Sequence, residues 1–219
     1  MSFRNLICNY TIKSVLSQHV RWLSCWSCGD NIVMMANLFC SNCKALQKPP
    51  KRANYFKVMG VKETYDLDEN ELAKRFKELQ KNLHPDKFAN RNQDEQIISE
   101  EYSSLVNEAY KTLLEPLARG IYMLQLRGKD ILENTEMDQE FLMKIMAKNE
   151  EVENAKTDKE IMKLNEENKK IISDLQKQVS SAFFDGDLKR VVRLLSHMKY
   201  YTSINNQIQN LIRSKVIIR

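Results

Sequence analysis

Helix breakers are scarce in this chain, which has only 5 glycines and 4 prolines among its 219 residues. So few turn-forming residues favour long helices over a sheet-rich fold, which needs a turn after every strand. Long apolar runs are also missing, because no stretch approaches the roughly 18 apolar residues that a membrane-spanning helix needs. With 42% hydrophobic and 29% charged residues, the composition is that of a globular chain. We therefore expect a mainly α-helical protein that does not insert into a membrane.

Acidic residues are absent from the start of the chain, where the first carboxylate is that of Asp30. Residues 1–24 carry basic side chains at Arg4, Lys13 and Arg21 and are rich in serine and threonine. Basic, hydroxyl-rich and acid-free segments are typical of mitochondrial transit peptides. We predict a transit peptide over 1–24 and a location in the mitochondrial matrix. Alternatively, the segment is a basic tail of a cytosolic protein. A location of some copies in the cytosol also stays open.

Two features of many enzymes are missing as well. The chain has no glycine-rich loop that would cradle a phosphate, and it shows no paired acid and base in an evident pocket. Its net charge of +5 is mild, which permits an acidic partner but does not by itself indicate nucleic acid. We therefore expect that the protein is not an enzyme and does not bind nucleic acid.

Cysteine is used sparingly, and four of the five cysteines lie in two C-x2-C motifs. The motifs pair Cys25 with Cys28 and Cys40 with Cys43. Two thiolates spaced by two residues lie on one tight turn, and two such turns complete a tetrahedral sulfur shell around one ion. Because all four ligands are sulfur, no position stays open for a catalytic water. We predict a structural Zn²⁺ site in a small module over residues 25–48.

The segment between the two motifs, residues 30–39, holds enough apolar residues for two short strands but too few to fold without metal. Gly29 suits the positive φ that such a turn often needs, and we expect the module to be independent of the rest of the chain. Disulfides, a thioredoxin-type redox pair and a nucleic-acid zinc ribbon are weaker interpretations, and an iron–sulfur cluster on the same thiolates stays open. Cys8 is left over inside the predicted transit peptide.

An amphipathic helix follows a linker at 48–52, and Asp68 with Glu71 forms a capping-box pattern at its start. Its apolar stripe consists of Leu72, Phe76, Leu79 and Leu83. Its opposite side carries Lys74, Lys77 and Lys81. At about 100° per residue the two sets point in opposite directions, so the apolar side packs and the lysines face water.

The tripeptide His84-Pro85-Asp86 ends this helix. Pro85 cannot continue a helix and biases His84 away from helical angles, so the chain turns at the end of the lysine row. A second helix is predicted from about Gln93 to Leu114, which makes a helical hairpin that holds the turn. A histidine beside an aspartate is more often a local hydrogen-bonded pair, but the combination with a basic helix favours a functional turn.

The C-terminal part of the chain, residues 132–215, is predicted to form three helices over about 136–155, 158–184 and 187–213. Asp158 and Asp187 are the expected N-cap residues. Short joints between long helices indicate an antiparallel three-helix bundle.

The first of these helices is apolar on two faces. The face expected to pack in the bundle consists of Phe141, Ile145 and Val152. The second face consists of Leu142, Met143 and Met146, with Glu150 beside it. A small bundle covers only one face of such a helix, so the second face either binds a partner, which methionine suits, or is covered by a neighbouring segment such as 117–126.

Residues 53–126, with their basic helix and His-Pro-Asp turn, resemble a DnaJ-type J domain. This resemblance implies that the chain acts on the ATPase of a DnaK-type heat-shock chaperone. Carried over by position, His84, Pro85 and Asp86 are the residues that stimulate ATP hydrolysis. The residues that dock the chaperone are Lys74, Lys77 and Lys81.

More of the sequence is similar to the HscB family of J-type co-chaperones in iron–sulfur cluster biogenesis, in the animal mitochondrial form that carries a tetracysteine module. The likeness covers about residues 53–213 and includes the segments 55–60, 79–88, 106–113 and 141–143. In this family the C-terminal bundle binds the IscU-type scaffold. The matching positions are Leu142, Met143, Met146, Glu150 and Tyr200. Ala147 stands where bacterial relatives carry an acid, so that polar contact is in doubt.

The sequence therefore predicts a co-chaperone that brings a cluster-loaded scaffold to a mitochondrial DnaK-type chaperone, triggers ATP hydrolysis there and so promotes cluster transfer. Two other functions stay open: a general J-domain protein for unfolded clients, and a zinc-ribbon factor that binds nucleic acid. The zinc module has no assigned role, and a homodimer stays open.

Overall fold

The computed structural model describes residues 22–33, 38–131 and 138–217. These residues form a two-stranded hairpin and seven α-helices: β1 (Trp22–Ser24), β2 (Asn31–Val33), α1 (Tyr55–Met59), α2 (Glu69–Leu83), α3 (Gln93–Leu114), α4 (Pro116–Leu126), α5 (Gln139–Asn154), α6 (Asp158–Phe184) and α7 (Leu188–Ile217). The predicted architecture is confirmed: a tetracysteine module, a helical hairpin and a three-helix bundle. The predicted transit peptide lies almost wholly outside the described residues, as does Cys8.

Helix limits follow from capping residues. The Asp68 carboxylate accepts hydrogen bonds from the backbone N–H groups of Asn70 and Glu71 at the start of α2, as the capping-box pattern predicts. Asp187 likewise caps α7 by accepting from the N–H of Arg190. The predicted cap at Asp158 is wrong, because Thr157 caps α6 in a full capping box with Glu160.

The helical hairpin of α2 and α3 is completed by α1 and α4. Its buried side chains include Phe56, Leu72, Leu83, Ile98, Val106, Ala109 and Leu113. The two long helices are also joined by polar contacts. The buried Ser99 hydroxyl donates to the Leu83 carbonyl over 2.8 Å, and the Ser103 hydroxyl donates to the Gln80 side chain. The Leu83 carbonyl is among the last of α2 and has no partner within the helix, so α3 satisfies it directly before the turn.

The bundle of α5, α6 and α7 has its own apolar cluster. The cluster consists of Phe141, Ile145, Val152, Ile161, Leu164, Ile204 and Ile208. It confirms the predicted inner face of α5. Polar contacts tie the helices together as well, since Lys148 on α5 forms 2.8 Å ion pairs with Glu151 and with Glu167 on α6.

The hairpin and the bundle are joined by two adjacent aromatic rings that are flanked by two arginine side chains. The Arg119 guanidinium lies over the Tyr65 ring, and that of Arg127 lies over Phe183, each at 5.3 Å. The Tyr65 and Phe183 rings are 5.7 Å apart, so the four side chains form one stack. Gly120 on α4 packs against Leu195 on α7 so closely that a Cβ would lie 2.6 Å from a leucine methyl. These contacts, with the packing of α4 against α7, hold the two parts against each other.

The N-terminal module differs from its prediction in two respects. Among the described residues between the cysteine motifs, β2 is the only strand. It pairs antiparallel with β1, which precedes the first motif and falls inside the range predicted as transit peptide. The module is also not separate, because Leu46 is fully buried within the core of the helical hairpin. Its backbone N–H donates to the buried Glu95 carboxylate on α3 over 3.4 Å, and its carbonyl accepts from the Trp26 indole over 2.6 Å. The predicted limits 25–48, 53–126 and 132–215 stay predictions.

Candidate functional site

The four cysteines predicted as metal ligands converge on one point. Their sulfur atoms all lie within 4.8 Å of one another, with 3.6 Å between those of Cys25 and Cys43 and 3.7 Å between those of Cys28 and Cys40. Four thiolates about 2.3 Å from one tetrahedral ion would be separated by about 3.8 Å. A disulfide would require about 2.05 Å. The sulfur spacing therefore suits a single metal ion, and it is tight for a cluster that spreads its ligands over several irons.

The two cysteine motifs fold as matching turns. The Gly29 N–H donates to the Cys25 carbonyl over 2.9 Å, and the Lys44 N–H donates to the Cys40 carbonyl over 3.1 Å. The residue after each motif has positive φ, 75° at Gly29 as predicted and 60° at Lys44. The positive φ of Lys44 was not predicted from the sequence, although its position after the second motif matches that of Gly29.

Backbone and side-chain donors surround the sulfurs. Burial raises the pKa of Cys25, but the N–H groups of Cys28 and Ser27 outweigh it and lower that pKa to about 6. The buried Gln47 amide also donates to the Cys25 sulfur over 3.4 Å, a contact that no sequence motif indicates. Such outer contacts orient the ligands of a metal site.

The neighbouring sulfur atoms shift the pKa of Cys28 in the opposite direction. The backbone of Asp30 lowers its pKa, but desolvation and the three neighbouring sulfurs raise that pKa to about 12. The four sulfurs therefore cannot all be thiolates at neutral pH unless a cation lies between them. This donor set fits a divalent ion held in a closed sulfur shell.

The His-Pro-Asp turn lies at the end of α2, where the sequence predicts it. His84 leaves the helix with ψ of 127°, and residues Pro85–Lys87 form a single 3₁₀ turn. The His84 Nδ1 accepts a hydrogen bond from the Asp86 N–H over 3.3 Å and lies 3.4 Å from the Asp86 carboxylate. Both side chains are exposed. The turn is closed on its far side by Phe88, which is buried.

The predicted basic face of α2 is also present. Lys74, Lys77 and Lys81 are all exposed, and none forms an ion pair with a described residue. The apolar stripe opposite them packs inward, with Leu72 and Leu83 buried and Phe76 stacked on Tyr110 at 4.2 Å. The lysine row and the turn therefore form one positively charged edge of the helical hairpin.

The second apolar face of α5 is uncovered in the described structure. The exposed fractions are 36% for Leu142, 61% for Met143 and 64% for Met146. Covering by residues 117–126 is therefore ruled out, because that segment lies in α4, which packs against α3 and α7. We call these three residues, with Tyr200 on α7, the apolar patch; Tyr200 is 37% exposed.

The rim of the apolar patch is polar. Glu150, which the sequence analysis assigns to this surface, is exposed one turn after Met146. Ala147 is exposed beside it and offers no polar group. Among the residues that the structure describes, no helix combines the length and apolar character needed to cross a membrane.

Known protein families match both helical parts of the chain. Residues 54–122 match the model of the DnaJ domain, and residues 137–209 match that of the HSCB C-terminal oligomerisation domain. The human iron–sulfur cluster co-chaperone protein HscB is 39% identical over 192 residues, which cover 84% of this chain and 80% of the human protein. The HscB homolog of Arabidopsis thaliana is 29% identical over 178 residues, covering 81% of this chain and 69% of that protein.

Solved structures show the same relationship. The crystal structure of human co-chaperone protein HscB superposes with a TM-score of 0.81 and 37% identity, covering 85% of this chain and 97% of the human chain. The chaperone HscB from Vibrio cholerae gives a TM-score of 0.67 and 25% identity, covering 74% of this chain and 99% of that chain. The chain therefore belongs to the HscB family of J-domain co-chaperones of iron–sulfur cluster biogenesis.

Proposed function

We propose that the chain binds an IscU-type iron–sulfur scaffold through the apolar patch and delivers it to a DnaK-type chaperone. The His84-Pro85-Asp86 turn then stimulates ATP hydrolysis by that chaperone, which favours transfer of the cluster to recipient proteins. The observation that carries this proposal is the presence of two exposed sites on one chain: a charged turn at the end of α2 and an apolar patch on the bundle. The chain itself supplies no catalysis, and it acts in the mitochondrial matrix.

A reconstituted ATPase assay tests this function. Purified mitochondrial DnaK-type chaperone is mixed with the protein, with the scaffold, or with both, and phosphate release is measured. We expect stimulation by the protein alone and a further increase when the scaffold is added. An ATPase rate that is the same with and without saturating protein, with scaffold present, would contradict the proposal. Equal stimulation by an unfolded client in place of the scaffold would instead indicate a general J-domain protein.

Chaperone docking is expected to depend on the lysine row. In Lys74→Glu/Lys77→Glu, affinity for the chaperone should fall about tenfold at low ionic strength and less than about threefold in high salt, because exposed charges are screened beyond about 8 Å. Binding measured across a salt series checks this. Lys169→Glu, an exposed lysine on α6, is the matched control and should bind like the wild type. A loss of affinity that is the same at every salt concentration would refute electrostatic docking.

For the four thiolates we propose Zn²⁺, held by Cys25, Cys28, Cys40 and Cys43. When bound, the ion crosslinks the two turns and supplies folding energy to the module.

The C-terminal segment matches the model of an oligomerisation domain, which supports a proposal that the bundle can self-associate. The mass of the purified protein in solution, measured across a concentration series, tests it.

Loss of the metal is expected to reach beyond the module. Cys25→Ser/Cys28→Ser should release about one metal ion per chain and speed hydrogen exchange at 22–48. Because Leu46 donates to Glu95, the faster exchange should extend into the first turn of α3, whereas α5–α7 should be unchanged. Metal analysis and hydrogen-exchange mass spectrometry measure both effects. The control is Cys8→Ser, which should keep the metal. Visible absorption by wild-type protein purified without oxygen would indicate an iron–sulfur cluster instead of zinc.

A further inference from the structure

An aromatic cluster lies beside the apolar patch. Its centre is the buried ring of Phe141 on α5, and its other members come from α7. The His197 imidazole stacks flat on the Phe141 ring at 3.9 Å and 7°. Tyr200 and Tyr201 meet the same ring edge-on, at 5.7 Å and 6.1 Å. Ring stacking of this kind fixes the plane of the imidazole without using its nitrogen atoms.

The spacing along α7 places His197 beside Tyr200, because the two residues are one turn apart and both contact the Phe141 ring. Asp138 and Lys144 are three residues before and after Phe141, so at about 100° per residue they lie on opposite sides of it. The Asp138 carboxylate interacts with His197, and Lys144 interacts both with Tyr201 and with Asp138. Leu142 lies on the same side of α5 as Asp138. His197 therefore borders the apolar patch, next to Tyr200 one turn further along α7.

The ring nitrogens of His197 have no hydrogen-bond partner among the described residues, and the side chain is only partly buried. Burial, and then the positive charge of Arg193, lower the pKa of His197, and Asp138 opposes them. A neutral imidazole carries one N–H donor and one acceptor nitrogen. The edge of the apolar patch therefore presents a fixed polar group whose hydrogen-bonding capacity is unused within the described structure.

A partner that covers the apolar patch buries this group. An apolar segment of the partner still carries backbone N–H and C=O groups, and these must be paired when water is removed. We propose that His197 is a specificity-determining residue of the apolar patch, whose imidazole N–H donates to a backbone carbonyl of the bound scaffold. This inference rests on the proposed function of the patch. An apolar surface alone discriminates poorly between apolar partners, whereas a buried polar group penalises every partner that leaves it unpaired.

The variant that isolates this contact is His197→Phe, which keeps a flat ring on Phe141 and removes both nitrogens. We expect its affinity for purified IscU-type scaffold to fall about fivefold to twentyfold, the lower part of the range for one unpaired buried group, because His197 is only partly buried. The matched control is Tyr201→Phe, which removes a polar group from the opposite side of the same cluster and should bind like the wild type. Calorimetric titration gives the affinities, and the thermal midpoint of each variant is measured alongside.

The remaining outcomes separate the proposals. Scaffold affinity of His197→Phe within about twofold of wild type, or an equal loss in Tyr201→Phe, overturns the role of His197 and leaves the apolar patch intact. If His197→Phe lowers the thermal midpoint, the scaffold affinities of His197→Asn and His197→Ala are compared instead. Asn keeps a hydrogen-bonding group and should bind at least about threefold more tightly than Ala; equal affinities overturn the proposal. Scaffold that fails to bind the wild-type protein would contradict the proposed function itself.

Discussion

Replacing His84 with glutamine is expected to reduce chaperone stimulation to the basal ATPase rate while leaving the helix content unchanged. The His84 side chain is exposed, and among the described residues its hydrogen-bond and ion-pair partner is Asp86, so the substitution removes little buried packing. The turn itself is held by other contacts, including the Ser99 hydroxyl on the Leu83 carbonyl. We expect the stimulated rate to fall by at least about tenfold, or about 1.4 kcal/mol of transition-state stabilisation.

Single-turnover ATPase measurements and circular dichroism test this prediction together. Glu101→Gln, at an exposed position on α3, makes a change of similar size on the same hairpin and should stimulate like the wild type. Retained stimulation by His84→Gln at saturating protein would refute the role of the turn. Lost stimulation accompanied by lost helix content would point to misfolding, in which case Asp86→Asn provides a second test of the same turn.

Removing the apolar patch is expected to abolish scaffold binding. In Leu142→Ala/Met143→Ala/Met146→Ala the side chains that would be buried by a partner are truncated, while Phe141, Ile145 and Val152 still fill the bundle core. Three central apolar contacts of about 1 kcal/mol or more each correspond to an affinity loss of at least about a hundredfold. Because the truncated side chains are exposed, the stability of the fold should change little.

The same variant should separate the two sites. Chaperone stimulation by the triple variant without scaffold should equal that of the wild type, whereas the extra stimulation by scaffold should vanish. Met162→Ala is the matched control, since Met162 is 51% exposed on α6 and lies outside the patch. Scaffold affinity that survives in the triple variant would show that the scaffold binds elsewhere on the chain.

Local patterns in the sequence predicted the helices well. Apolar periodicity predicted the observed limits of α3, Gln93–Leu114, because this signal depends on neighbouring residues. The same local signals were ambiguous at the start of α6, where Thr157 rather than Asp158 caps the helix. The ligand spacing of the four cysteines also depends on local turns, so the metal site was predictable in place and geometry.

Contacts between distant residues were not predictable. Strand β1, before Cys25, pairs with β2 across the first cysteine motif, whereas both strands were expected between the two motifs. The contact of Leu46 with Glu95 joins residues 49 positions apart. The stack of His197 on Phe141 similarly joins two helices through side chains that carry no motif. A single sequence contains no signal for such pairs, because their partners are chosen by the tertiary packing.

The stack of Arg119, Tyr65, Phe183 and Arg127 has a consequence for how two partners meet on this protein. Because these contacts hold the hairpin against the bundle, a scaffold bound at the apolar patch, as proposed, would be presented to a chaperone at the His84-Pro85-Asp86 turn in a restricted range of orientations and at a high effective concentration. If a flexible linker joined the two parts, the bound partners would meet in many relative orientations and at a lower effective concentration. If it binds both partners as proposed, the protein would act as a bivalent adaptor whose joint affinity for them depends on geometry as well as on each separate affinity.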